Sequence, residues 1–182
     1  MPRIPYADLE TLPADSRAFL KRLAPLNIFR MMANAPHLIE PFVGLGSAFL
    51  FKGVLDPIER EVAILRVGYI SGASYETAQH EKIGRDIGMD DGLIAAVRYG
   101  PASDTLSDRQ RMIIHFVDDI VANVRASEKT FGPVLETFGP DGAQELTLVI
   151  GYYMMVCRFL ETFDVDVEDG GAKGIRTERE DD

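Results

Sequence analysis

From Asp141 to Phe163 the chain can form a helix that is apolar around almost its whole circumference, with Leu146, Val149, Ile150, Tyr152, Tyr153, Met154, Met155, Val156 and Phe159. A helix with one apolar stripe can lie on a surface, whereas a helix apolar on every side has to be surrounded. A chain of 182 residues has material for one core of useful size. This helix is therefore expected at the centre of that core, at a contact with a second copy, or at both. The uncharged run between Glu145 and Arg158 is too short to span a bilayer.

Helical periodicity dominates the rest of the chain, and no long β-alternating run occurs. Residues 1–13, with Pro2, Pro5 and Pro13, read as an extended arm, followed by a helix of about ten residues from Ala14. A short helix is expected over 27–34 and a longer one from Pro36 to about Lys52, stopped by Gly53. Asp56-Pro57-Ile58-Glu59 is a helix start with Asp56 as cap, Pro57 at the first position and Glu59 completing a capping box. That helix should run to about Ile70. The next should begin at Ala73 or Ser74 and end near Gly88. Asp90 caps a helix to about Tyr99, and Ser107 with Gln110 opens one to about Val124. A further short helix is expected over 127–138, ended by Gly139-Pro140. Asp141 with Gln144 then starts the last one. The expectation is an all-α fold of about eight helices, with an N-terminal arm and helices over 1–45, a helical domain over 46–165, and an acidic flexible tail over 166–182.

Charge and cysteine content narrow the function. The net charge is −10, and half of it lies in residues 164–182, where eight acids face Lys173, Arg176 and Arg179. No basic stripe exists to neutralise phosphates, so nucleic acid is not an expected partner. Cys157 is the only cysteine, so no intramolecular disulfide can form. The first residues lack an apolar signal core. A soluble cytoplasmic protein, without a membrane partner, is the expectation.

Three side chains stand out as candidates for chemistry. With about 100° per residue on a helical wheel, Ile58, Ile64, Leu65 and Gly68 fall beside Glu61, while Glu59 and Arg66 fall on the far side. Glu61 thus points with the apolar arc, where an unpaired carboxylate is desolvated; pairing with an arginine is the alternative. On the next helix Ala73, Glu76, Ile83, Gly84 and Ile87 share the side of His80, and Lys82, Arg85 and Asp86 oppose it. Glu76, one turn before His80, can orient the imidazole, whose ordinary pKa of about 6.5 would let it exchange protons near neutrality. The alternative is a satisfied core histidine. His37 and His115 read as surface residues, and Cys157 as a small buried hydrophobe. Gly44-Leu45-Gly46 lacks a third glycine and a preceding strand, so it is not a dinucleotide site.

Asp56-Pro57, Arg60-Glu61, Ile64-Leu65-Arg66-Val67-Gly68, Ser74-Tyr75-Glu76 and Gln79-His80 together resemble the carboxymuconolactone decarboxylase family, which includes the alkylhydroperoxidase D-like proteins. The resemblance covers about residues 50–100. It implies an alkylhydroperoxidase D-like helical fold and a homo-oligomer (dimer, trimer or hexamer). The family's active helix pair carries a glutamate and then Cys-x-x-Cys-x-x-x-His. Glu61 matches the glutamate and His80 the histidine, but Ala73 and Glu76 stand where the cysteines would be. A dithiol peroxidase needs both thiols, so that branch of the chemistry is not expected here. The decarboxylase branch is similar to this chain in carrying Glu at the second position.

The expected function is therefore cofactor-free proton transfer, decarboxylation or isomerisation, on a small carboxylate or lactone. His80 would be the general acid/base, Glu76 would orient it, and Glu61 would hold or relay a proton, with no metal. Arg66 and Arg158 are the local cations to inspect for substrate binding. The rivals are a peroxidase-like redox protein, a three-ligand metal site built from Glu61, Glu76 and His80, and a non-catalytic ligand-binding oligomer.

Overall fold

The computed structural model describes residues 1–169, 171 and 172, and among them the regular structure is entirely helical. Eight α-helices follow one another: α1 (Ala14–Leu20), α2 (Asn27–Met32), α3 (Pro36–Lys52), α4 (Pro57–Ser71), α5 (Ser74–Asp86), α6 (Asp91–Tyr99), α7 (Asp108–Asn123) and α8 (Glu128–Phe163). The expected all-α fold and helix number hold.

Helix α4 is the axle. Val62, Ala63, Ile64, Leu65 and Val67 have no exposed surface, and α5, α6, α7 and α8 all pack on it. Each wholly buried aliphatic side chain of this kind stabilises the fold by about 1.5–3 kcal/mol. The start of α4 is set by Asp56, whose side chain accepts from the amides of Ile58 and Glu59. The expected reciprocal half of that capping box is not formed. Glu59 turns outward to pair with Arg109 of α7, a charged partner that competes successfully for its carboxylate. The second expected box, Ser107 with Gln110, is complete.

The α4–α5 turn brings the candidate residues together, and two glycines make it possible. Gly72 ends α4 in the left-handed region, with φ of 65°, which side-chain-bearing residues seldom adopt. At Gly68 a Cβ would come within 2.9 Å of Thr77 Cγ2, so its absence lets α5 fold back closely onto α4.

The break expected between the last two helices at Gly139-Pro140 is present. Helix α8 continues from Glu128 to Phe163, interrupted only at Gly139 (φ 67°, ψ −178°), so the expected break survives as a kink. By length and composition α8 could cross a membrane; 44% of its most apolar window is buried in the domain. Leu146, Val149, Ile150, Tyr153 and Cys157 are inside. Leu148 and Met155 are about half exposed, so the helix is not wholly enclosed by its own chain.

The expected boundaries shift. Residues 45 and 46 fall inside α3, which is continuous, so the N-terminal part is not separable there. The arm is docked rather than free, with Arg3 N donating to Phe163 O (3.0 Å) and Ala7 N to Arg30 O (3.2 Å). The acidic tail does not begin at 166. Glu168 is buried and accepts from Asn27 N (2.7 Å), Tyr75 Oη (2.6 Å) and Gln79 Nε2. Three donors outweigh the cost of desolvating that carboxylate. Residues 170 and 173–182 of the expected tail lie outside the described residues.

Candidate functional site

Helix α4 supplies Glu61 and α5 supplies Glu76 and His80, with α8 closing the far side. The wheel reading of α4 is correct: Glu61 faces inward and has no exposed surface. Its Oε2 lies 2.6 Å from His80 Nδ1, while Glu76 Oε1 lies 3.1 Å from Nε2 of the same ring. The imidazole thus stands between two carboxylates, one at each nitrogen. Tyr153 braces it edge-on, with ring centroids 5.0 Å apart at 85°.

The two contacts are not alike. The Nδ1 contact is a short, aligned hydrogen bond. The Nε2 contact is close but not aligned as one, and Glu76 Oε1 has no hydrogen-bond partner among the described residues. Glu61 therefore fixes the ring and keeps a proton on Nδ1, leaving Nε2 as the nitrogen that can gain or lose one.

Burial pushes the His80 imidazole towards its neutral form. The charges of Glu61 and then Glu76, with the hydrogen bond to Glu61, outweigh that and raise its pKa to about 10. Two carboxylates face His80 rather than one, and they favour the imidazolium over the ordinary titration expected from the sequence.

Behind Glu61 stands Arg60, also buried. Its Nε is 3.8 Å from Glu61 Oε1, and its Nη1 donates to Phe49 O (3.3 Å). So Glu61 is both the partner of the histidine and the neighbour of an arginine. Sequence reasoning quoted Arg60 in the motif without giving it this place. The cations it did single out lie elsewhere: Arg66 forms a two-point pair with Asp118 (2.6 and 2.9 Å), and Arg158 donates to Met154 O (2.8 Å). Neither lines the cavity.

That cavity, of about 600 Å³, opens onto His80 and Glu76. Glu61 is not in its wall and sits behind the imidazole. The lining is largely apolar and aromatic, from Phe29 of α2, Phe42 and Phe51 of α3 and Tyr152 and Tyr153 of α8, with exposed Arg22 at the mouth. Gly46 is part of this wall, and a Cβ there would sit 2.6 Å from Tyr152 Oη. The size and the few convergent polar groups suit one small organic molecule.

The three carboxylate and imidazole groups do not form a ligand set for an ion. Glu61 and Glu76 approach opposite nitrogens of His80, and no group of three or more His, Cys, Asp or Glu side chains among the described residues is placed to hold a metal. His37 and His115 are exposed, as expected. Cys157 is buried, and burial followed by the charge of Glu76 pushes its thiol up to about 12, so it is not a ready thiolate. Ala73, at the first of the two cysteine positions, is fully buried at the start of α5.

Residues 36–119 match the carboxymuconolactone decarboxylase family. The matched span runs from α3 into α7 and contains Glu61, Glu76 and His80, so the resemblance read from the motif holds. The fold agrees. A peroxidase-related protein of Ralstonia eutropha JMP134, described as an alkylhydroperoxidase AhpD core, superposes with a TM-score of 0.80 at 21% identity, over 93% of each chain. A peroxidase-related protein of Silicibacter sp. TM1040 gives 0.75 at 19%, over 90% of this chain and 89% of the other. The debrominase Bmp8, as a cysteine-to-alanine variant in complex with 2,3,4-tribromopyrrole, gives 0.75 at 15%, over 92% and 94%. At these identities the likeness is one of fold. No curated protein matches the chain.

Proposed function

We propose that this protein catalyses cofactor-free proton transfer, a decarboxylation or an isomerisation, on a small organic acid or lactone bound in the cavity above His80 and Glu76. The observation that carries this reading is the asymmetric clamp on the imidazole. Glu61 takes Nδ1 from behind, and Nε2 is left beside Glu76 in the wall of an apolar cavity.

The roles follow from that arrangement. His80 is the acid, and Nε2–H is the proton it gives. Glu76 is the carboxylate beside it. Glu61 is a positioning residue, which holds the ring and keeps Nδ1 protonated throughout. An imidazolium held with a pKa of about 10 is a weak acid, suited to a strongly basic acceptor such as a carbanion or enolate. In an isomerisation, Glu76 removes a proton from one position of the substrate and Nε2 returns one to a carbon. The proton on Glu76 then crosses the 3.1 Å gap to Nε2, and the site is restored. In a decarboxylation, the electrons of the breaking C–C bond pass into the substrate's own carbonyl, carbon dioxide leaves, and Nε2–H protonates the carbon. The ring then takes one proton from water for each carbon dioxide released.

The peroxidase reading has no second thiol to form its disulfide, and the single thiol is buried. The protein is also proposed to be a homo-oligomer, through the exposed Leu148 and Met155 of α8, with Gly151 between them, and Leu38 and Leu45 of α3. A solution mass of 20.2 kDa at micromolar concentration would refute that.

The test of the reaction is deuterium wash-in. A panel of lactones and keto acids incubated with the protein in D2O is expected to include a member whose carbon-bound proton exchanges, with loss of exchange by about 10² in His80→Ala. Equal exchange in the wild type and the variant would remove the catalytic reading.

A further inference from the structure

The polar groups of the cavity are unevenly distributed, and that unevenness says which way round a ligand must lie. At the floor, Glu76 lies beside Nε2 of His80, with Glu61 behind the ring at Nδ1. Glu76 Oε1, sealed from solvent, is left without a hydrogen bond. The floor therefore offers one carboxylate acceptor, Glu76.

Three donors of the wall are taken by other partners. Tyr75 Oη donates to Glu168 Oε1 (2.6 Å), Gln79 Nε2 donates to Glu168 Oε2, and Tyr152 Oη donates to Phe42 O (3.1 Å). Tyr153 stays a neutral phenol, because burial and then the charges of Glu61 and Glu76 oppose its ionisation. A carboxylate placed at the floor would meet the charge of Glu76 directly, with Glu61 behind the ring and the one imidazolium already shared between them. Arg22, at the rim, is the lining residue with a permanent positive charge. Between the two ends the surface is apolar and aromatic.

We propose that the cavity selects a ring-sized apolar molecule that presents a neutral O–H donor to Glu76 and turns any carboxylate it carries outward to Arg22. This deepens the isomerisation form of the proton-transfer reading, on which it rests, by fixing the orientation of the bound molecule; a carboxylate held at Arg22 is not one released beside Nε2. An O–H at the floor gives Glu76 the hydrogen bond that the chain leaves unmade, and a charge-assisted bond of this kind is among the stronger ones. A buried acceptor built for a hydroxyl rejects an analogue lacking it.

The experiment compares four probes on the full chain by isothermal titration calorimetry, backed by saturation-transfer NMR. They are 4-methylphenol, its methyl ether 4-methylanisole, 4-methylbenzoate and 4-hydroxyphenylacetate. 4-Methylphenol is expected to bind at least about tenfold more tightly than 4-methylanisole, the scale of one lost hydrogen bond. 4-Methylbenzoate is expected to be no better than the ether, and 4-hydroxyphenylacetate the tightest of the four. Glu76→Gln should shrink the phenol-to-ether ratio to about threefold or less, since a neutral acceptor bonds more weakly. Arg22→Ala should remove the advantage of 4-hydroxyphenylacetate over 4-methylphenol.

Equal binding of phenol and ether overturns the proposal, as does tightest binding of 4-methylbenzoate, or no binding by any probe. The wild-type comparison carries the test even where a variant folds poorly. Binding and exchange also separate the two readings. Phenol-selective binding with no deuterium wash-in on any substrate leaves the orientation standing and removes the reaction. Wash-in without phenol selectivity does the reverse.

Discussion

Neutralising Glu61 should move the His80 titration by about three units, and the two carboxylates flanking the ring make that magnitude calculable. In the native protein the imidazole pKa rises from 6.5 to about 10. At about 1.4 kcal/mol per unit, the surroundings favour the imidazolium by roughly 5 kcal/mol after burial has taken its share. Glu61 is the larger of the two favourable charges. With charge centres about 4 Å apart and an effective dielectric of about 20, it contributes about 4 kcal/mol, or about three units. In Glu61→Gln the amide oxygen can still accept from Nδ1–H, but the charge is gone, so the ring should titrate at about 7. The chain has three histidines, and His37 and His115 are exposed, so nitrogen-15 NMR of the imidazoles, with single replacements for assignment, resolves the buried one. The neutral wild-type ring should carry its proton on Nδ1. A wild-type ring that titrates below 6.5 would show that burial wins over the carboxylates. A Glu61→Gln ring that stays at about 10 would show that Glu76 alone holds the proton.

The same linkage has a sign in stability. A folded-state pKa above the unfolded one means that the stabilisation is fully present below pH 6.5 and is lost as pH rises through about 10, so the wild-type melting temperature should fall over that window relative to His80→Ala. Glu168→Ala strands three donors and should cost about 3 kcal/mol or more, seen as roughly 5–10 °C in a thermal melt. Gly46→Val places a side chain against Tyr152 Oη inside the cavity, and calorimetry should show at least about tenfold weaker binding of 4-methylphenol at a modest loss of stability. Dithiol-dependent reduction of an organic hydroperoxide should be negligible and unaltered in Cys157→Ser, as measured by peroxide consumption.

Much of this fold was legible because its helix boundaries are written in local chemistry. Pro36, Asp56-Pro57, Asp90 and Ser107 with Gln110 act within a few residues of themselves, and the observed helix ends follow them closely. The Glu76–His80 pair was legible for the same reason, since one helical turn fixes it. Glu59 was misread because its partner, Arg109, lies on another helix. Glu168 left no trace at all. It sits in a run of acids that reads as solvated, and only Asn27, Tyr75 and Gln79, far away in sequence, make it a buried acceptor. Arg22 and the aromatic wall were invisible likewise, since segments distant in sequence meet to form the cavity. Catalytic use and structural pairing were opposed alternatives on the sequence, but here the cation that Glu61 pairs with is the candidate acid itself, with Arg60 behind it. Glu61→Gln is therefore expected to lose some stability on either reading, and the imidazole titration is the sharper measurement.

Position 76 decides between two chemistries available to this helix pair. A thiol there, next to an imidazolium, would be held as a thiolate, and with a second thiol at position 73 it could pass to a disulfide and back. Ala73 removes one electron-carrying group and Glu76 the other, while Glu61 and His80 keep the geometry that would have activated them. A carboxylate has no accessible change of oxidation state. What it can do beside an imidazolium, 3.1 Å away in a mostly apolar cavity, is accept a hydrogen bond, take a proton and hand it back. On the proposed function, a carboxylate at position 76 makes this a site for protons, and the absence of a second thiol is consistent with that reading.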